Sequence, residues 1–159
     1  MNASDRKLSD TTRTVRQAFW EEFARHKAAS EILAPALERY GGGRGHLWLI
    51  QPEALDREDG LHVIVYLNVP STGLHAVNCS IYAKNGFEEL ARETIDVARI
   101  AIHERAATLG GDGPMLVDGH ARLEVDLSTE EARSAAIAAM MPYIESAYLS
   151  MCEAVERDG

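Results

Sequence analysis

Apolar side chains recur at helical spacing from the start of the chain, with Val15, Phe19 and Phe23 at every fourth position and Trp20 and Ala24 widening the stripe. The pattern predicts a helix capped by Ser9 or Asp10 and preceded by a polar, disordered stretch over residues 1–9. Pro35 disfavours a helical Ala34, so a kink or a break into a second short helix is expected near residues 28–35, stopped by Gly41, Gly42 and Gly43.

After His46 the period falls to two. HLWLIQ reads as a strand, PEALDREDG as a turn or loop, and LHVIVYLN (61–68) as the strongest strand in the chain. VPSTG then connects it to LHAVNCSIYA (74–83), which alternates well, so the pair forms a hairpin. Placing Val65 opposite Val77 sets Val63 opposite Cys79 and Leu61 opposite Ile81, which makes one face uniformly apolar. The other face is mixed, with His62, Ile64 and Tyr66 beside Ala76, Asn78, Ser80 and Tyr82.

Asn85 with Glu88 begins a long helix, whose inner face is Phe87, Ala91, Ile95, Ala98, Ile102 and Ala106 and whose end is Gly110-Gly111. Asp118-Gly119 between apolar runs marks a second hairpin, and Ala121, Leu123, Val125 and Leu127 alternate with Arg122, Glu124 and Asp126. Ser128 and Glu131 form a capping box for the last helix, whose stripe is Ile137, Met141, Ile144, Tyr148, Met151 and Val155 and which Pro142 should kink or restart. The resulting order is α-β-β-β-α-β-β-α. It implies a single α+β domain over residues 10–157, with a small antiparallel sheet and helices packed on one face.

The 159 residues suit one domain, and 46% apolar with 26% charged residues is a globular composition. A net charge of −9 disfavours nucleic-acid binding. That charge is uneven, +2 over residues 1–44 and −7 over residues 111–159, so the C-terminal helix is an acidic surface suited to a basic partner. No apolar run reaches the ~18 residues of a membrane span and no secretory h-region follows the N-terminus, so the chain reads as cytoplasmic. Cys79 and Cys152 have no CxxC pairing and read as reduced packing residues.

The chemistry tested against the sequence finds no anchor. None of the six histidines has metal-ligand spacing: His103-Glu104 lacks the second His of HExxH, His62 and His75 fall on opposite faces, and His75 and Cys79 lie too far apart along one strand. Tyr82 stands where a nuclease of the PD-(D/E)xK kind needs a carboxylate before Lys84. Asp118, Glu124 and Asp126 read as a solvated acidic group without a histidine or basic partner. The Gly41 to Gly45 stretch lacks the GK[ST] ending of a P-loop, and Ser80 and Ser128 lack GxSxG context. No catalytic residue, metal or cofactor is therefore assigned.

What remains is the mixed face. His62, Ile64, Tyr66, Asn78, Ser80 and Tyr82 combine aromatic surface with hydrogen-bonding groups, as an interface does. With every helix on one side of the sheet, the other side is wet, joined to a partner protein or joined to a second copy in a homodimer. The alternative is a cover formed by the N-terminal helix or Trp48.

RQAFWEEF, HLWL, GLHVIVYLN, LHAVNCSIYA and GFEEL together resemble a bacterial domain of unknown function found at the C-terminus of restriction-endonuclease-like defence proteins, over residues 13–156. That resemblance implies an accessory or recognition domain in phage defence with no nuclease residues of its own. The element order also looks like that of class I type III secretion chaperones, which implies a dimer holding an extended client segment. The expectation is a non-enzymatic protein-binding module. A small-molecule-binding protein or enzyme, with a pocket between the N-terminal helix and the sheet, is the alternative, and converging His62, Tyr66 and Asn78 would mark it.

Overall fold

The computed structural model describes residues 3–39, 47–52, 61–70, 73–83, 88–109, 114–117 and 120–158. In chain order the elements are α1 (Ala3–Ala29), β1 (Leu37–Arg39), β2 (Leu47–Gln51), β3 (Leu61–Asn68), β4 (His75–Ala83), α2 (Glu88–Leu109), β5 (Met115–Val117), β6 (His120–Val125) and α3 (Glu130–Asp158). The strands form one antiparallel sheet in the order β1-β2-β3-β4-β6-β5. This is the expected single α+β domain, with one strand more than expected before α2.

The extra strand is β1, which follows the stretch near residues 28–35 where a kink or a break into a second short helix is expected. Helical pairing stops at Ser30, whose amide hydrogen-bonds to the carbonyls of His26 and Lys27 at 3.1 Å each. Its hydroxyl accepts from the Leu33 amide at 3.1 Å, which turns the chain, and Pro35 keeps the turn from becoming a helix. Lys27, buried at the end of α1, clamps the incoming strand: its Nζ donates to Ala36 O at 3.2 Å and to Glu38 Oε1 at 3.0 Å. Leu37 to Arg39 then pair with Gln51 to Leu49.

The β3–β4 hairpin pairs two residues away from the expected register. Val65 faces Cys79, Val63 faces Ile81, and Leu67 faces Val77. A slip of two leaves every side chain on its own face, so the apolar segregation that set the expectation cannot distinguish the registers. The turn decides: the strands end at Asn68 and resume at His75, and Gly73 takes φ +89°, a conformation other residues rarely adopt.

One face of the sheet joins all three helices in a single core. Trp48, Ile50, Val63, Val65, Leu67, Val77, Cys79 and Ala121 cluster there with Phe19 and Phe23 of α1, Ile102 of α2, and Ile137, Met140, Ile144 and Met151 of α3. The aromatic part is compact. Phe23 and Trp48 have ring centroids 5.1 Å apart, and Trp20 meets Trp48 at 5.6 Å. Glu22 accepts a hydrogen bond from Ser134, and Ser30 donates to Glu145 at 2.8 Å, so α1 and α3 run side by side in the same direction.

Three local expectations change. α1 begins at Ala3, ahead of the Ser9 and Asp10 caps. Thr129, not Ser128, caps α3: its hydroxyl accepts from the Ala132 amide at 3.2 Å. Asp126 has drawn Ser128 out of that role, accepting from its amide at 3.0 Å and its hydroxyl at 2.5 Å. Third, α3 does not restart at Pro142 but continues unbroken to Asp158. The Pro142 carbonyl accepts from Ser146 Oγ at 2.8 Å, and Ser150 Oγ repeats that bond to Ser146 O. The Asn85 cap, the Gly41 to Gly45 stretch, the Gly110-Gly111 stop and the Asp118-Gly119 turn lie outside the described residues.

Candidate functional site

The second face of the sheet is built by the even positions of β3, β4 and β6, since side chains alternate along a strand and paired residues share a face. The register places His62 opposite Tyr82, Ile64 opposite Ser80, and Tyr66 opposite Asn78. All six expected interface residues therefore occupy one patch of two strands. The side chain of Tyr82 lies outside the described residues. Trp48 does not cover this patch, because it pairs with Val65 and packs with α1 on the core face.

The patch is graded. His62 has no exposed surface, Asn78 keeps 3% and Ser80 7%, while Ile64 and Tyr66 are half-buried. Pairing with β2 puts Leu47 beside Tyr66 and Leu49 beside Ile64, both again half-buried. None of Leu47, Leu49, Ile64 and Tyr66 belongs to the core cluster or to the shell packed against it. They form a second apolar strip, on the side of the sheet away from the helices.

Beside this strip runs a polar row in which Asn78 was expected and its partner Arg122 was not. β6 pairs with β4 so that Arg122 lies opposite Asn78, and β5 sets the exposed Met115 opposite Arg122. Arg122 Nη1 donates to Asn78 Oδ1 at 3.0 Å, and Asn78 Nδ2 donates to Tyr66 O at 3.4 Å. Arg122 Nε also donates to Glu124 Oε1 at 3.1 Å. The guanidinium thus fixes the Asn78 amide, which fixes the edge of the apolar strip. The alternation of Arg122 and Glu124 with Ala121, Leu123 and Val125 was visible, but the partner strand was not.

The acidic group read as having no histidine or basic partner is corrected at two positions. Glu124 is held by Arg122, and Asp126 lies 3.6 Å from His75 Nδ1. The Ser128 hydroxyl, followed by the Ser128 amide, holds the Asp126 carboxyl below the usual carboxylate range. Asp118 is outside the described residues.

The geometry does not bring His62, Tyr66 and Asn78 to one point. His62 lies four residues from Tyr66 along β3, about 13 Å at the usual rise of a strand. Tyr66 and Asn78 meet through a backbone carbonyl, and the Ser80 hydroxyl donates to the neighbouring Ile81 carbonyl at 3.4 Å. Cys79 lies on the core face, where burial pushes its thiol up to about 12, so it is no nucleophile at neutral pH. Among the described residues no group of three or more His, Cys, Asp or Glu could hold a metal ion, and no helix is long and apolar enough to cross a membrane. The chain matches no known family, no curated protein and no solved structure.

Proposed function

We propose that the chain is a non-enzymatic protein-binding module that docks a partner protein on the second face of its sheet. The observation that carries this reading is the half-buried strip of Leu47, Leu49, Ile64 and Tyr66, set apart from the core and bordered by the Asn78–Arg122 pair. Apolar and aromatic surface beside a fixed hydrogen-bonding row, with charges at its margin, is the composition of a protein interface. Rows of side chains on a sheet offer breadth, whereas a small-molecule site needs polar groups that converge in a concavity. The defence-domain and secretion-chaperone resemblances both supply settings in which such a module acts by binding.

Photo-crosslinking tests the reading. Benzoylphenylalanine in place of Tyr66 should yield a discrete adduct in cells that natively make the protein, and the same group in place of the exposed Ala107 of α2 should not. Ile64→Asp should abolish the Tyr66 adduct while the chain stays folded. Adduct mass separates a heterologous partner from a second copy in a homodimer. Equal yields at the two positions, or none at Tyr66, would refute a binding face there.

A further inference from the structure

His75 joins the start of β4 to the segment that leads into α3. Its ring is largely enclosed, with 12% of the side chain exposed, and it lies opposite Val125, the last residue of β6. Leu127 N–H donates to His75 Nδ1 at 2.7 Å. A nitrogen that accepts a proton donor at this distance carries no proton itself, so the ring is neutral with its hydrogen on Nε2. Asp126 Oδ1 waits 3.6 Å from the same nitrogen, too far for a good hydrogen bond and near enough to become one.

These two neighbours ask opposite things of Nδ1. The Leu127 amide needs it bare, and the Asp126 carboxylate would take its proton. We propose that His75 is a pH-sensitive latch that ties the Leu127 amide of the β6–α3 connection to the sheet when neutral and frees that amide when protonated. Uptake of a proton at Nδ1 turns the acceptor into a donor facing the Leu127 N–H. The amide bond is then lost and the new N–H turns to Asp126.

The surroundings give the release a direction. On the next peptide, Arg133 Nη1 of α3 donates to Leu127 O at 3.1 Å, and Asp126 is tied to Ser128. Leu127 is therefore held from the sheet by His75 through its N–H, from α3 by Arg133 through its carbonyl, and in the core by its fully buried side chain, and protonation removes the first of these holds. The charged groups facing the latch are Asp126 from the connection and Arg133 from α3. On β6 the nearest charge is Glu124, on the opposite face and occupied by Arg122. The β3 residues paired beside this end of β4, Leu67 and Asn68, bring no charge, and no ion pair links α2 to His75 among the described residues.

The test uses the full ¹⁵N-labelled chain in solution. At pH 8 a scalar coupling across the hydrogen bond should link the Leu127 amide nitrogen to His75 Nδ1. At pH 5 that coupling should vanish, and exchange of the Leu127 amide, corrected for its intrinsic rate, should rise about tenfold, the worth of one hydrogen bond. In His75→Asn, where the side-chain oxygen can accept the amide and does not titrate, exchange should stay slow at both pH values. Asp126→Asn keeps an acceptor for Ser128 but removes the charge that welcomes the imidazolium, so release should move to lower pH. A coupling that persists at pH 5, an opening that survives His75→Asn, or a midpoint unmoved in Asp126→Asn would overturn the proposal.

Discussion

Removing Glu38 should harm the fold more than removing the charge of Lys27, although either change breaks the same ion pair. The two groups sit in unequal surroundings: 4% of the lysine side chain is exposed against 39% of the glutamate. In Lys27→Met the stem is replaced by one of similar shape, and the carboxylate left behind is already in contact with water. What is lost is the bond to Glu38 and the bond to Ala36 O, offset by an ammonium that no longer has to leave water, so the net cost is about 1 kcal/mol. In Glu38→Ala the ammonium stays enclosed with one neutral acceptor. Stripping the partner from a fully buried charge costs about 3–5 kcal/mol, and the flexible stem recovers part of that by turning toward solvent, which leaves about 2–3 kcal/mol. The double variant should then be no worse than Lys27→Met alone, so that adding Lys27→Met to Glu38→Ala restores about 1–2 kcal/mol. Equilibrium urea denaturation of the four proteins at pH 7 gives the complete cycle. If Lys27→Met proves the costlier single change, or the two costs simply add, then the lysine is solvated and does not clamp β1.

Other outcomes follow from single contacts. Thr129→Ala should cost about 1 kcal/mol in the same assay as the loss of the α3 cap, and Ser128→Ala clearly less; the reverse order would restore Ser128 as the cap. Because the Asp126 carboxyl is held low in the folded chain, its contribution is present above the ordinary carboxylate range and lost as pH falls through the lowered value. Ser128→Ala should raise that midpoint toward the ordinary one, followed by carboxyl ¹³C shifts. Alkylation of the native protein at pH 8 should label half-buried Cys152 slowly, since burial raises its thiol too, and Cys79 only on unfolding; equal rates would contradict the enclosure of Cys79.

Periodicity made much of this fold legible, and where it fell silent the reading failed for physical reasons. The α2 stripe is buried at Ala98 and Ile102 and packs on the core at Ala106, while Ile95 is half-buried outside the core cluster and Phe87 and the Ala91 side chain lie outside the described residues. Leu37–Arg39 was invisible, since three residues carry no alternation and the strand exists through a lysine ten residues upstream and a partner beyond it. The hairpin faces were readable while the register was not, because a two-residue slide leaves the apolar set unchanged. Of the candidate face, His62, Ile64, Tyr66, Asn78 and Ser80 were found, but Arg122 was not. Its role depends on β6 lying beside β4 across an intervening helix and strand, and no local pattern reports that.

The position of α3 bears on how the chain can fold while it is being made. This helix packs on α1, α2 and the strands β2, β3, β4 and β6, and the Ser30–Glu145 bond spans 115 residues of sequence. At roughly 5–20 residues per second, about 6–25 s separate the synthesis of Phe19 from that of Ile144. Throughout that interval the aromatic face of α1 and the inner face of β3 and β4 lack the element that encloses them. A nascent chain stalled before Glu130 should therefore remain sensitive to protease, and chaperones that recognise exposed aromatic surface have their opening before α3 arrives.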